Sequence, residues 1–303
     1  MPARDEHEPL VTIGVPGFNR PDGLKSCLAS LRRQSFSRIA IVIADDCSPD
    51  RGVAAVMHDA AADDARIRCI FRPQNIGMFA NFCSLLEHAT TPYFMWSSND
   101  DYWDRLSIAT MVAMLEANPK AALACGGLRH FNHEGISDTV YSPVRFASTA
   151  DKLADLRLFL EEPEILGKSH LLYGLYRTDA LRKAVVSFDF GRHDRWSEDV
   201  MIAFSVLCRH DVVATDQVFL YKHTRWRLEF APKRFADDFG VPKGRDDEYC
   251  NGLLAACIDD GQRELVRSVM ARRRRYRNLV TRWRKPTMRL IDRLTGARTP
   301  RKR

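Results

Sequence analysis

Residues 39–44 read Ile-Ala-Ile-Val-Ile-Ala, a short run with no polar side chain in it. A strand with one wet face alternates polar and apolar residues, so a strand apolar throughout is one covered on both faces. The flanking sequence supplies the covers. Residues 21–34 place Leu24, Cys27, Leu28 and Leu31 at helical spacing behind Pro21, which suits a first helical turn, and a second helix is expected through about residue 62. A short apolar run at 10–15, broken by Pro16 and Gly17, and further runs at 67–71, 92–96 and 121–127 read as strands. Helical patterns at 78–89 and 105–119 separate the later ones. Strands and helices alternating at this length predict an α/β fold, a mostly parallel central sheet with helices on both faces.

The second half is less regular. A helix is expected over 151–162, a strand within 169–177 leading into another helix, and a last strand over 217–223. From Glu198, a helix carries Val200, Ala203, Phe204 and Leu207 on one face.

In parallel sheets, ligands bind outside the carboxyl ends of the strands. Three polar clusters fall there: Gly-Phe-Asn-Arg at 17–20, Asp-Asp-Cys-Ser-Pro-Asp at 45–50, and Ser-Ser-Asn-Asp-Asp at 97–101. Taken alone, the last is good turn chemistry. Yet Asp100 and Asp101 are adjacent and follow an apolar strand, and neighbouring carboxylates need a compensating cation once water is removed. The first strand–helix turn lacks Gly-x-Gly-x-x-Gly, and no Gly-x-x-x-x-Gly-Lys-Ser/Thr occurs, so dinucleotide and P-loop sites are unsupported. Clustered oxygen donors suit magnesium or manganese held between carboxylates and substrate phosphates.

The stretch from Val11 to Asp50 resembles the start of a family-2 glycosyltransferase of the GT-A fold: a strand, Pro-x-Tyr/Phe-Asn-Arg, a helix ending in Gln, then a strand ending in Asp-Asp-x-Ser-x-Asp. The resemblance continues through Arg-Pro-Gln-Asn-Ile-Gly at 72–77, the 97–103 segment in place of the family's Asp-x-Asp loop, the Glu198-Asp199 helix and the strand ending at 223. It implies an inverting transfer from a nucleotide-sugar donor to a glycan or lipid-linked acceptor hydroxyl, in cell-surface polysaccharide or glycolipid assembly. It places Pro16 and Asn19 beside the base, and Asp45 or Asp46 on the base or ribose. Asn99 and Asp100 would lie at the ribose or sugar, although the family's first acid is Asn99 here. Asp101 becomes the ligand of a Mn or Mg ion, and Asp199 the catalytic base. His223 is either a further metal ligand or a solvated histidine. Displacing a nucleoside diphosphate from an anomeric carbon needs charge stabilisation on the phosphates and a carboxylate near the incoming hydroxyl.

Two other classes were open. A sugar-nucleotide transferase of similar fold would need a glycine-rich basic loop after the first strand, which 16–23 lacks. A nucleic-acid-binding protein could use the C-terminus, where residues 272–303 carry 14 Lys or Arg against one acid. That tail is +13 in a chain of net +7, leaving −6 on the rest, so the pI of about 9.0 belongs to the tail. Leu265, Val266, Val269, Met270, Tyr276, Leu279, Val280 and Trp283 recur at helical spacing within and before it. The segment therefore also suits an anionic membrane surface, or a basic helix partly packed on the domain. Nucleic acid is not the expected partner. The expected division is a GT-A domain over 1–225 and a loop with a basic helical extension over 226–303, with 224–250 a candidate acceptor-side lid. The eight cysteines lack Cys-x-x-Cys spacing, the first ten residues are too polar for a signal peptide, and no apolar run approaches membrane-spanning length. A cytoplasmic protein, peripheral at the inner membrane face, is expected.

Overall fold

A computed structural model describes residues 8–163, 167–186, 198–224 and 246–276. The first half runs β1 (Val11–Gly17), α1 (Pro21–Arg32), β2 (Ile39–Asp45), α2 (Arg51–Asp63), β3 (Ile67–Phe71), α3 (Met78–Glu87), β4 (Tyr93–Trp96), β5 (Tyr102–Trp103), α4 (Ser107–Ala117) and β6 (Ala121–Asn132). The second runs β7 (Gly135–Ile136), α5 (Lys152–Glu161), β8 (Leu175–Arg177), α6 (Thr178–Val186), α7 (Glu198–Arg209), β9 (Asp211–His223), α8 (Asp246–Ala256) and a further helix, α9, over 260–276.

The strands form one sheet in the order β3-β2-β1-β4-β8-β6-β9-β5, with β7 on β6. β1 to β4 pair in parallel, and β6 runs parallel to β9. The apolar 39–44 run serves both faces, as its composition requires. Ile39, Ile41 and Ile43 point into the core shared with α1, α2 and α4, whereas Val42 and Ala44 enter the core built with α3, α5, α6 and α7. Ile39, Ile41, Val42, Ile43 and Ala44 are buried, so a polar side chain at any of them would lose water on one face or the other.

Three details differ from the sequence reading. β1 does not break at Pro16 but pairs with β2 as far as Gly17; its pairing with β4 ends at Gly14, so Pro16 lies beyond that ladder. Residues 168–173 form a 3₁₀ segment, leaving only Leu175–Arg177 as strand, antiparallel to β4 and β6. The last strand starts at Asp211 rather than 217.

The C-terminal helices share the domain core. Tyr249, Leu253, Leu265, Val266, Val269 and Met270 join the cluster around α7. Gln262 donates to the Cys208 carbonyl at 2.9 Å, and Arg209 to that of Ala256 at 2.7 Å. The basic residues at the start of the tail are engaged as well: Arg272 and Arg274 pair with Glu161 and Asp247. Part of the stripe expected at an interface is thus core. Residues 277–303, and all of the 224–250 segment except 224 and 246–250, lie outside the described residues.

His130 on β6 and His170 in the 3₁₀ segment meet edge to face, each also against Tyr141. Burial pushes His170 down to about 3, helped by the charges of His130 and Lys222, and His130 down to about 4, helped by Lys222. The unfolded chain, with histidines near 6.5, therefore takes up protons first. The stability they contribute is complete above 6.5 and is lost as pH falls toward those lower values. Between pH 6.5 and about 5, where carboxylates contribute little, the unfolding free energy should fall by up to about 1.4 kcal/mol per pH unit for His170, and by less for the more exposed His130. Urea titrations of the wild type and His170→Asn check this: an unchanged slope in the variant would refute it.

Candidate functional site

The chain leaves β1 through α1 to β2 and β3 on one side, then crosses to β4 on the other side of β1. This reversal of strand order opens a crevice at the carboxyl ends of β1 and β4. A cleft of about 740 Å³ lies there. It is lined from β1 and its loop by Pro16 to Arg20, after β2 by Asp46, and around α3 by Asn75, Met78, Asn81 and Phe82. Ser98, Asn99 and Asp100 line it after β4, with Tyr173 from the 3₁₀ segment and Lys222 and His223 from the end of β9. All three polar clusters picked out by position thus border one volume, of a size usual for small-molecule sites.

The loops are held in costly backbone conformations. Asn19, Arg20 and Cys47 have φ of 56°, 60° and 59°, left-handed values uncommon outside glycine. Arg20 stands at the N-cap of α1 but gives no side-chain cap; its guanidinium instead reaches Asp100. The Oδ1 atom of Asn19 is buried without a protein partner beside the cleft. Asn99 donates to the Asn19 carbonyl at 3.3 Å, tying the loops after β1 and β4 together.

The expected acids divide into different jobs. Asp45 is buried at the end of β2, outside the cleft lining, and accepts from the Ser48 amide at 3.1 Å and from its hydroxyl. Asp46 borders the cleft, yet its oxygens accept from the amides of Ile76 at 2.8 Å and Gly77 at 3.0 Å. Its carboxylate therefore pins the 75–77 turn, where Gly77 has φ of 92°. Asp100 lines the cleft, paired with Arg20 and 3.5 Å from His223 Nδ1.

Asp101 is buried, and both its oxygens are taken: Oδ2 by Lys222 Nζ at 2.9 Å and Oδ1 by the His223 amide at 2.9 Å. Lys222 also donates to Tyr173 at 3.0 Å and Ser98 at 3.2 Å, and lies 4.2 Å over the Tyr173 ring. Burial pushes the Asp101 carboxyl up, and Lys222 pulls it only part of the way back. Burial works against the Lys222 ammonium too, but Tyr173 and Asp101 outweigh it and hold its pKa above the usual lysine value. The proton stays on Lys222.

A magnesium or manganese ion is usually held by one or two carboxylates, with substrate phosphates and water completing its shell. Asp101 and His223, the expected ligands, do not converge: Asp101 meets the His223 backbone, while the imidazole faces Asp100. Among the described residues, no three His, Cys, Asp or Glu side chains are grouped to hold a metal ion. As arranged, these residues do not fit a resident divalent ion, because an ammonium already occupies Asp101.

Asp199 stands in the first turn of α7 and is not among the residues lining the cleft. α7 packs against the 168–173 segment that brings Tyr173 to it. Arg20, Lys222, Tyr173 and Ser98 received no role from the sequence. Arg20 and Lys222 lay inside the motifs, but neither stands beside an acidic cluster in the sequence, so nothing local signalled their pairing with Asp100 and Asp101.

The family model for glycosyl transferase family 2 matches residues 12–180, more than half of the chain. The chain belongs to this family. EpsJ of Bacillus subtilis, described as an uncharacterized glycosyltransferase, is 25% identical over 262 residues, covering 83% of this chain and 73% of that protein. This chain spans from 16% to 73% of the length of curated relatives that it matches. Among solved structures, S. aureus TarS 1-349 in complex with UDP-GlcNAc superposes with a TM-score of 0.61 at 17% identity, covering 85% of this chain and 70% of that one. The mannosyltransferase PcManGT of Pyrobaculum calidifontis, in complex with GDP-Man and Mn2+, gives 0.55 at 14% identity, covering 97% and 77%. These likenesses establish the GT-A type of fold for this family member.

Proposed function

We propose that the chain moves a sugar from a nucleoside-diphosphate donor to an acceptor hydroxyl, with inversion, in cell-surface polysaccharide or glycolipid assembly. The cleft at the crossing between β1 and β4, lined by Arg20 and Lys222, carries this reading. Family membership supports it, as do the sugar nucleotides named with the two structural neighbours. Pro16 and Asn19 flank the base, and Asn19 Oδ1 offers a buried acceptor to its N–H edge or to the ribose. Asp46 shapes the wall facing them. Asn99 and Asp100 border the ribose and sugar.

The family resemblance makes Asp199, which stands outside the cleft lining, the group that takes the proton of the acceptor hydroxyl as that oxygen bonds to the anomeric carbon. The bond from that carbon to the diphosphate breaks, and its electron pair leaves with the phosphate oxygen. One displacement inverts the centre. Negative charge grows on the departing diphosphate, where Arg20 brings the N–H donors that its pairing with Asp100 leaves over. A magnesium or manganese ion belongs to the family expectation and is named with the Pyrobaculum structure. No step is assigned to it, since the expected ligands are otherwise engaged.

The test is a panel of uridine, guanosine and thymidine diphosphate sugars, scored by thermal shift and by release of nucleoside diphosphate. One donor should both stabilise the protein and be turned over, with the product anomer inverted by NMR. A panel that neither stabilises nor reacts would remove the reading.

The acceptor is proposed to be presented at an anionic membrane surface on the cytoplasmic side, reached by the tail. Residues 277–303 hold ten Lys or Arg and one acid. Each basic residue near such a surface adds about 1 kcal/mol. No helix among the described residues is long and apolar enough to cross a membrane. Deleting 277–303 should abolish sedimentation with vesicles rich in anionic lipid while leaving donor hydrolysis unchanged. Equal sedimentation of both proteins would remove the membrane partner, and retention on duplex DNA instead would favour nucleic acid.

A further inference from the structure

Asp100 lines the cleft and its neighbour Asp101 is buried, and the chain neutralises both carboxylates from its own residues. Arg20 reaches Asp100 from the loop after β1, and Lys222 reaches Asp101 from the end of β9. Before any ligand arrives these four groups sum to zero, the same balance that two carboxylates reach with one divalent ion. We propose that this chain binds the diphosphate of its donor without a resident divalent ion, Arg20 and Lys222 standing where the ion's charge would be needed. The inference rests on the nucleotide-sugar reading above.

The arrangement around Lys222 is built rather than incidental. An ammonium has three N–H donors, and three oxygens receive them: Asp101 at 2.9 Å, Tyr173 at 3.0 Å and Ser98 at 3.2 Å. A metal ion on Asp101 would set a double positive charge beside the ammonium on one carboxylate. Relieving that repulsion would mean breaking three hydrogen bonds and the contact with the Tyr173 ring. The other Asp101 oxygen accepts from the His223 backbone amide at the end of β9. On the second pair, Arg20 spends one terminal nitrogen on Asp100 and has further donors in a residue that lines the cleft. Lys222 acts as a positioning residue that neutralises Asp101. Arg20 is the group that meets the phosphates.

The experiment uses the full chain stripped with EDTA. Uridine and guanosine diphosphates are titrated by calorimetry in chelator and in Mn²⁺, and Mn²⁺ uptake is read separately from the free-ion EPR signal. The wild type should bind one of the nucleotides with affinities within about threefold in the two buffers, and should take up no stoichiometric Mn²⁺. Lys222→Met uncovers the Asp101 carboxylate, so the variant should gain Mn²⁺ uptake and a nucleotide affinity at least about tenfold higher with Mn²⁺ than without. Lys222→Arg, which keeps the charge, should behave as the wild type. A wild-type chain that takes up one Mn²⁺, or whose nucleotide binding collapses in chelator, overturns the proposal even if Lys222→Met does not fold. If neither nucleotide binds in either buffer, thymidine diphosphate is titrated in the same way; failure of all three removes the nucleotide-sugar reading, and the Mn²⁺ uptake of the wild type still decides the charge assignment.

Discussion

Asp101→Asn should lower the stability of the chelator-treated protein by about 3 kcal/mol in urea unfolding. The substitution keeps the shape of the side chain and removes the charge facing Lys222, whose side chain is 21% exposed against 0% for Asp101. A buried ammonium left without its counter-ion is the larger part of the loss. A carboxylate waiting for a metal beside a second carboxylate predicts the opposite sign, because removing its charge relieves repulsion in the metal-free state. Combining Asp101→Asn with Lys222→Met should restore most of the stability, since both buried charges then disappear together. A metal-free Asp101→Asn protein as stable as the wild type would return Asp101 to the role of a ligand. The same measurement guards the kinetics, because activity lost through unfolding would otherwise be read as lost chemistry.

Asp199→Asn should leave nucleotide affinity unchanged and slow transfer by about 10²–10⁴-fold. Asp199 lies in the first turn of α7. A carboxylate helps most late in the attack, when the acceptor proton has become acidic. Donor affinity by calorimetry and transfer rate with a competent acceptor are read together. Equal loss in both would make Asp199 a donor-site or structural residue, and near-normal transfer would leave the base elsewhere.

What the sequence revealed depended on whether the relevant contact was local. The apolar 39–44 run had to be covered twice, and it lies between two helical layers as that composition demands. The clusters at 17–20, 45–50 and 97–101 could be grouped because strand ends in a parallel sheet share one edge. β5 escaped notice because Tyr102 and Trp103 are too few to show a period; they form a strand only by pairing with Leu220 and Tyr221. The 168–173 segment resembled a strand because Leu171 and Leu172 are buried, and burial alone does not distinguish strand from 3₁₀. Asp101 and Lys222 are 121 residues apart, and Arg20 and Asp100 are 80 apart. No periodicity links such pairs, so an acidic cluster with its cations elsewhere in the chain reads like one that lacks them. Asp46 illustrates the same limit: its position was legible, but its engagement by two backbone amides was not.

The packing of α8 and α9 against α7 bears on how the molecule can be oriented. Met201 of α7 lies against Gly252 of α8, so closely that a β-carbon there would come within 2.6 Å of it, and Gln262 of α9 is bonded to the carbonyl of Cys208. The helix that opens with Asp199 is therefore clamped to the segment that leads into residue 277. α7, α8 and α9 turn as one body as far as residue 276, so under the proposed membrane contact the helix bearing Asp199 and the start of the tail would share one orientation.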